Sequence, residues 1–522
     1  MSYRKQLVNL DAMILRSDFA SQPESEQTYD MVPTISLRDF TPGALVGPNL
    51  RKPDFQRETN HWSPPQVLSL LQCFVNGDLI PSVILWKSPT NIFVIDGGHR
   101  LSVLRAWVED DYGDGPISLA FFERNIPNVQ KKVAEKTRKL INDTIGSYKH
   151  VQMQLAQPDL AIEEKKRLNA VISRALPIQW VNGNADKAEA AFFKINTEGT
   201  PLDEIEELLL KTRHKPISIA SRAIIRAGTG HKYWSAFPQQ AATTIEEKAR
   251  AIHQLLFEPD IDTPIKTLDL PLGGAKGIRA ALRTLLDFVL IACRNQQGDP
   301  KTIADQNDDS EGNGTIAALR SVMELASRIT GNDRGSLGLH PAVYFYGPSG
   351  QHQVPMFMGT ALLIKRKLLS NDPVFFRKFS HCRSRLEKAL VENKGTIAAI
   401  LQGYVSKHRV DKYAAFLEAL VGRLQDARVI TVEEIVSLSG VTGKILVGSG
   451  QESSVEFSDD AKSRAFITKA LQTAVTCSIC GGYLDPAKSV SYDHVIRRRD
   501  GGSGDAGNCD LTHPYCNQAM KN

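Results

Sequence analysis

The sequence predicts a multi-domain α+β chain: an α/β N-terminal domain, a helical middle domain and a small C-terminal module with too few apolar residues for a core of its own. Three observations support this reading. Helix-like and strand-like apolar periods alternate up to about residue 215, and only the helical period recurs between 216 and 446. The last 46 residues hold four of the seven cysteines. The implied divisions are a loosely ordered N-terminus (1–34), the α/β domain (35–215), the helical domain (216–446), a hinge and linker helix (447–475) and the C-terminal module (476–522).

In the α/β domain, Pro64-Pro65 opens a helix whose apolar face is Val67, Leu68, Leu71, Phe74 and Val75, closed by Gly77. Two β-rich runs follow, Ile80 to Trp86 and Ile92 to Ile95. The second leads directly into Asp96-Gly97-Gly98-His99-Arg100, and a helix with Leu101, Leu104 and Val108 on one face begins there. A strand, a Gly-Gly turn and a helix start can bind an anion. Glycines let backbone N–H groups approach a phosphate, the helix N-terminus adds partial positive charge, and Arg100 offers a bidentate fork. His99 suits acid–base work or donation to the same anion, and Asp96 suits a metal or a ribose hydroxyl. The residues support equally a tight turn in which Asp96 caps the helix and Arg100 pairs with it.

The middle domain says less about function. Its clearest helix is expected over Ala275 to Cys293, with Ile278, Leu282, Leu285, Leu286 and Val289 inward. Lys, Glu and Arg at helical spacing between 128 and 170 predict a solvated face rather than a DNA-tracking arm. Residues 295–314 read as an exposed loop. Tyr344 and Tyr346, beside glycines and histidines, suggest either a core strand ending in a Gly-Pro turn or a cage that stacks on a base, the first being favoured. Lys365, Arg366, Lys367, Arg377, Lys378, Arg383 and Arg385 form the best phosphate-binding stripe outside the C-terminal module.

That module carries two superimposed patterns. Cys477, Cys480, His513 and Cys516 form two pairs, each separated by two residues, which suits a tetrahedral Cys3His zinc site that staples a small fold. Asp493, His494, Asn508 and Asn517 lie between or beside these ligands and are not needed to hold zinc. Phosphodiester hydrolysis requires such groups: a base for water, a residue that orients the base, and oxygen ligands for a hard cation. A zinc knuckle that only binds has no use for Asp-His, a Gly-Gly turn and Asn in that order. Arg497, Arg498 and Arg499 follow His494 closely and are expected to grip a nucleic-acid backbone. Cys509 is read as a packing residue. Five residues follow Asn517, which predicts a short final helix.

The segment resembles the HNH endonucleases, whose ββα-metal fold carries a DH…N…H or N motif. The resemblance implies that His494 is the general base, Asp493 and Asn517 ligate Mg2+ or Mn2+, and Asn508 positions His494, while zinc is structural. Asn517 takes the third letter of the motif, and His513 replaces one of the usual four zinc cysteines. Phe55-Gln56-Arg57, Trp62-Ser63, Gly77, Ile80-Pro81 and Asp96 to Leu101, with Phe193 to Leu202, resemble the ParB/sulfiredoxin-like N-terminal domain of GmrSD-type restriction enzymes. Members usually read DGQQR where this chain has DGGHR. The pairing of the two domains resembles the GmrSD and SspE phage-defence nucleases. It implies an antiviral restriction endonuclease that acts on double-stranded DNA, modified DNA included, and binds or hydrolyses GTP or ATP. Arg57, Asp96, Gly97, Gly98, His99, Arg100 and Asn196 are the expected nucleotide or phosphate site. A homo-oligomer or defence-system partner proteins are compatible with this reading. The alternative is a non-enzymatic ParB-like DNA-binding regulator with a structural zinc module.

Composition agrees with an ordinary globular enzyme: 522 residues, 42% hydrophobic, 23% charged and a net charge of +5. This charge permits nucleic-acid binding without arguing for it. Cysteines grouped in metal-ligand spacing point to a reducing compartment, and Cys73, Cys293 and Cys382 read as buried thiols. No apolar run approaches membrane-spanning length and no signal-peptide core is visible, so a cytoplasmic protein with no membrane partner is expected. No GxxxxGK[ST] run occurs, so any nucleotide hydrolysis would proceed without a P-loop.

Overall fold

A computed structural model describes residues 7–17, 19, 31–41, 43–44, 46–53, 56, 59–60, 62–88, 90–198, 204–261, 263–274, 278–295, 297, 302–426, 429–441 and 457–520. The chain forms two compact units, Met1–Arg213 with Thr229–Tyr233, and His214–Gly228 with Trp234–Asn522.

The first unit is built on a six-stranded mixed sheet of β1 (Arg16–Ser17), β2 (Thr34–Ser36), β3 (Leu50–Pro53), β4 (Val83–Lys87), β5 (Ile92–Asp96) and β6 (Ala175–Val181) in the order β1-β3-β5-β4-β6-β2. β4 and β5 form an antiparallel hairpin, while β1 with β3, β3 with β5 and β4 with β6 run parallel. The expected first helix spans Pro64–Asn76. Ser63 and Gln66 form a capping box at its start, and Gly77 ends it at φ 90°. Val67, Leu71 and Phe74 are fully buried, each contributing roughly 1.5–3 kcal/mol of hydrophobic stabilisation. Asp11 is buried between Arg16 and Lys52, with Lys52 Nζ 2.8 Å from its carboxylate, and this network ties the N-terminal segment to β3. The charged region after residue 128 forms helices Asn128–Thr144, Tyr148–Leu155 and Ile162–Ser173, with Lys131, Lys139 and Lys165 in solvent.

The second unit is helical except for its C-terminal hairpin. The helix expected from Ala275 is described over Ile278–Ala292 and buries Leu285, Leu286, Phe288 and Val289. Helices Val354–Leu369 and Arg409–Arg423 pack closely at Gly359, where an added Cβ would lie 2.7 Å from the Tyr413 ring. The Tyr344 segment is a short helix, Pro341–Tyr344, rather than a strand. Both tyrosines are buried, with Tyr344 donating to Glu387 and Tyr346 to the Pro271 carbonyl, which excludes an open aromatic cage.

The expected basic stripe divides. Lys365 is buried, Arg366 pairs with Asp411, Lys367 pairs with Asp372 and Glu418, and Arg383 is buried against Glu387. These cations belong to the fold, while Arg377 and Lys378 face solvent. The hinge expected at 447–457 lies outside the described residues up to 456. The helix beyond it, Asp459–Gln472, is docked on the helical domain, where Ser463 Oγ accepts from Ile265 N at 3.0 Å and Arg464 donates to the Pro348 carbonyl. No helix among the described residues is long and apolar enough to cross a membrane.

Candidate active site and zinc centre

The C-terminal module is an antiparallel hairpin of β7 (Ser491–His494) and β8 (Cys509–Thr512), followed by a π-type helical turn, Cys516–Met520. Its own core is small: Cys477, Leu484 and Cys516, with Ile479, Cys480, Val490 and Leu511 partly buried around them. A core of this size needs a staple. The ligand atoms of Cys477, Cys480, His513 and Cys516 all lie within 4.8 Å of one another. His513 Nδ1 is 3.4 Å from Cys480 Sγ and 3.9 Å from Cys516 Sγ. Tetrahedral zinc with ordinary Zn–S and Zn–N bonds sets that S···N edge at about 3.6 Å, so the residues fit the ion. His513 Nε2 donates to the Tyr483 carbonyl at 3.0 Å, which leaves the Nδ1 lone pair facing the sulfurs. Burial, aided by the charge of Arg383, lowers the His513 pKa and keeps the imidazole in its neutral, ligating form. Cys509, expected to pack, is exposed on β8 and takes no part in the cluster.

The helical domain encloses this centre. Arg383, on helix Pro373–Glu392, donates Nε to Glu387 at 2.6 Å and its other nitrogens to the carbonyls of Leu337 and Gly338. Glu387 also accepts from the Tyr344 hydroxyl at 2.9 Å and from the backbone N–H of Tyr483, inside the zinc module. Gly482 leaves room for the arginine, since a Cβ there would come within 2.8 Å of its side chain. Ser489 bonds Gly331 N at 2.7 Å, Val490 N donates to Asn332, and Lys488 Nζ reaches the Glu258 and Leu270 carbonyls. Sequence spacing revealed the Cys/His set but not these supports, because the partners lie 96 or more residues away, on helix Pro373–Glu392 and in loops between helices.

Asp493 and His494, the hydrolytic candidates on β7, sit at the loop end of the hairpin. Asp493 and His494 occupy the end of β7, with His494 paired in register with Cys509. Asn508 is buried and bonds backbone rather than the ring. Its Oδ1 accepts from Ile496 N at 2.6 Å, and its Nδ2 donates to the carbonyls of Ile496 at 3.1 Å and Ser503 at 2.7 Å. Together with the Val495 N bond to the Asn508 carbonyl, this clasps the loop that leaves His494. Gly502 fits beneath the clasp, where a Cβ would lie 1.8 Å from the Ile496 carbonyl oxygen. Asn517 Nδ2 donates to Ser491 Oγ at 2.8 Å and to the Tyr492 carbonyl at 3.3 Å, so its Oδ1 is the atom of this side chain that could ligate a cation. Arg498 and Arg499 are exposed and Arg497 half-buried. Arg498 Nε donates to His494 Nε2 at 3.2 Å, a contact that spacing alone did not suggest.

In the first unit, Gly97 takes φ 91° immediately before helix Gly98–Glu109, and a Cβ there would lie 2.6 Å from Val83 Cγ1. Asp96 does not cap that helix; it pairs with Arg100, whose other terminal nitrogen donates to the Pro81 carbonyl at 2.8 Å. His99 stacks on Trp62 at 5.4 Å between ring centroids. Gln56, part of the Phe55-Gln56-Arg57 motif, is buried against Gly98, and among the described residues its Oε1 has no hydrogen-bond partner. Arg57 lies outside the described residues, and Asn196 is placed only as a backbone position in helix Ala185–Glu198.

No curated protein and no solved structure matches the chain. Residues 43–215 match the model of the GmrSD restriction endonuclease N-terminal domain, and residues 477–522 match that of the HNH endonuclease. The chain thus carries a segment that matches the GmrSD-type N-terminal domain, followed by a C-terminal segment that matches the HNH endonucleases.

Proposed function

We propose that this protein is a divalent-metal-dependent DNA endonuclease of a restriction system directed at foreign or modified DNA, with its N-terminal domain sensing nucleotide or DNA. The observation that carries the reading is the loop end of the hairpin, where Asn508 clasps the loop that follows Asp493 and His494, while Asn517 is bonded to the same strand at Ser491 and Tyr492. Asp493 and Asn517 would hold Mg2+ or Mn2+, which supplies Lewis-acid stabilisation of charge on the phosphate and the leaving oxygen.

The remaining chemistry falls to the side chains. Arg498 donates to Nε2 of His494, which marks that nitrogen as the lone-pair site of a neutral imidazole. An incoming phosphate is a stronger acceptor for the guanidinium than an imidazole nitrogen, so DNA draws Arg498 away and frees Nε2 to take a proton from the attacking water. Arg497 and Arg499 add backbone affinity without sequence information. Zinc does no chemistry.

The N-terminal reading is supported by the Gly97-Gly98 turn at a helix start, where Asp96, His99 and Arg100 would meet a nucleotide or DNA phosphate; Arg57 and Asn196 complete the proposed site on the family resemblance alone. Arg100 is already engaged by Asp96 and Pro81, so an anion must compete for it. The deciding experiment is plasmid nicking in Mg2+ or Mn2+, on unmodified and phage-type modified DNA, with and without GTP or ATP. Wild type is expected to nick and His494→Ala to be inert at unchanged zinc content. Cleavage by wild type in no condition would replace this reading with a DNA-binding regulator.

A further inference from the structure

Helix Pro373–Glu392 has a buried and an exposed face with different tasks. Its buried face holds the zinc module: it packs against the Cys516–Met520 turn that carries Asn517. Phe376 meets Tyr515 at 6.3 Å between centroids, and at the border with the outer face the exposed Ser384 lies 3.2 Å from where a Cβ of Gly481 would stand. Its outer face exposes Arg377, Lys378, His381 and Lys388, spaced so that they share one side of the helix. Among the described residues no carboxylate pairs with Arg377 or Lys378, whereas the neighbouring cations Arg366, Lys367 and Arg383 are all neutralised within the fold. Lys388 meets Glu392, at 3.9 Å and in solvent. The fold thus uses the surrounding cations and, among the described residues, leaves Arg377 and Lys378 without a carboxylate.

We infer that the outer face of helix Pro373–Glu392 is a second contact surface for the backbone of duplex DNA, continuing the nuclease interface onto the helical domain. The inference rests on the nuclease reading. Charge complementarity and attachment to the turn bearing Asn517 identify the occupant. From Arg377 to Lys388 the helix rises about 16 Å. That matches about five nucleotides of one strand, enough for the row to follow phosphates flanking the scissile bond. Such contacts add affinity and register but no base reading.

The test is fluorescence anisotropy of a labelled duplex on the full chain in a His494→Ala background, over a range of NaCl concentrations. Arg377→Gln/Lys378→Gln is expected to reduce the slope of log K against log[salt] by about 1.8, at about 0.9 per lost phosphate contact. Both residues are exposed, so zinc content and melting temperature should stay unchanged. A slope equal to the parent's, while Arg498→Gln/Arg499→Gln lowers it, would overturn the inference and leave the nuclease reading standing. An equal reduction from Lys131→Gln/Lys139→Gln, on an exposed helix of the first unit, would also overturn it by showing a bulk-charge effect. No binding by the parent at any salt would instead remove the nuclease reading, and the inference with it.

Discussion

Replacing Arg383 with Met tests whether the nuclease module and the helical domain are one folding unit. The guanidinium is buried, with a 2.6 Å bond to Glu387 and bonds to the Leu337 and Gly338 carbonyls. Methionine keeps the apolar stem and removes every one of these bonds. Glu387 then remains buried and charged, with only the Tyr344 hydroxyl and Tyr483 N–H as donors. Breaking one partner of a buried pair costs about 3–5 kcal/mol. At about 2 °C per kcal/mol for a unit of this size, the melting temperature should fall by roughly 6–10 °C. The assay is thermal denaturation of the full chain, followed by helical circular dichroism, with zinc release read by a chromogenic chelator. Zinc loss and helix loss should coincide, because Glu387 holds Tyr483 while Tyr483 orients His513. Arg383→Met/Glu387→Gln should recover part of the stability, since no unpaired charge remains. A melting temperature within about 2 °C of wild type for Arg383→Met, or zinc leaving well before the helices melt, would refute the shared-core argument.

Three further outcomes follow from the same geometry. Asn508→Ala should lower kcat sharply while leaving zinc bound, as it releases three backbone bonds that hold the loop beyond His494; nicking kinetics with metal analysis check this. Gly97→Ala should destabilise the first unit by more than about 1 kcal/mol, because an L-residue is placed at φ 91° and its Cβ meets Val83; chemical denaturation measures it. Asp485 is buried, which pushes its carboxyl up to about 6, with Asp269 adding to the shift and Lys488 opposing it. Its folded pKa exceeds the unfolded one, so its contribution to stability is full below about pH 4 and is lost as pH rises through about 6. Relative to Asp485→Asn, wild type should therefore lose roughly 3 kcal/mol across that window; parallel pH–stability curves for the two proteins would show the attribution to be wrong.

Much of the candidate site was legible because metal chemistry and turn chemistry impose local spacing. Cys477 with Cys480, and His513 with Cys516, must present ligands from adjacent turns, and the four atoms do converge. Gly97 and Gly98 stand where a strand passes into a helix, and only glycine fits the first of them. Local spacing misleads where a side chain has a distant competitor. Arg383 reads as part of a basic stripe, yet Glu387 and two carbonyls claim it. Tyr344 and Tyr346 leave a base-stacking cage open beside the favoured core reading until Glu387 and Pro271 are seen to accept their hydroxyls. Asn508 bonds the loop rather than the His494 ring because a β-hairpin end brings Ile496 and Ser503 to its side chain.

The sequence by itself determined the α/β beginning, the helical middle and the Cys/His cluster of the hairpin, since periodicity, glycine placement and ligand spacing act over a few residues. Tertiary structure alone decided which cations serve the fold and which remain for a partner, and that the zinc module shares its support with helices about 100 residues upstream. The physical reason is that burial and charge pairing depend on groups brought together from distant parts of the chain, and no local pattern records which pairs will meet.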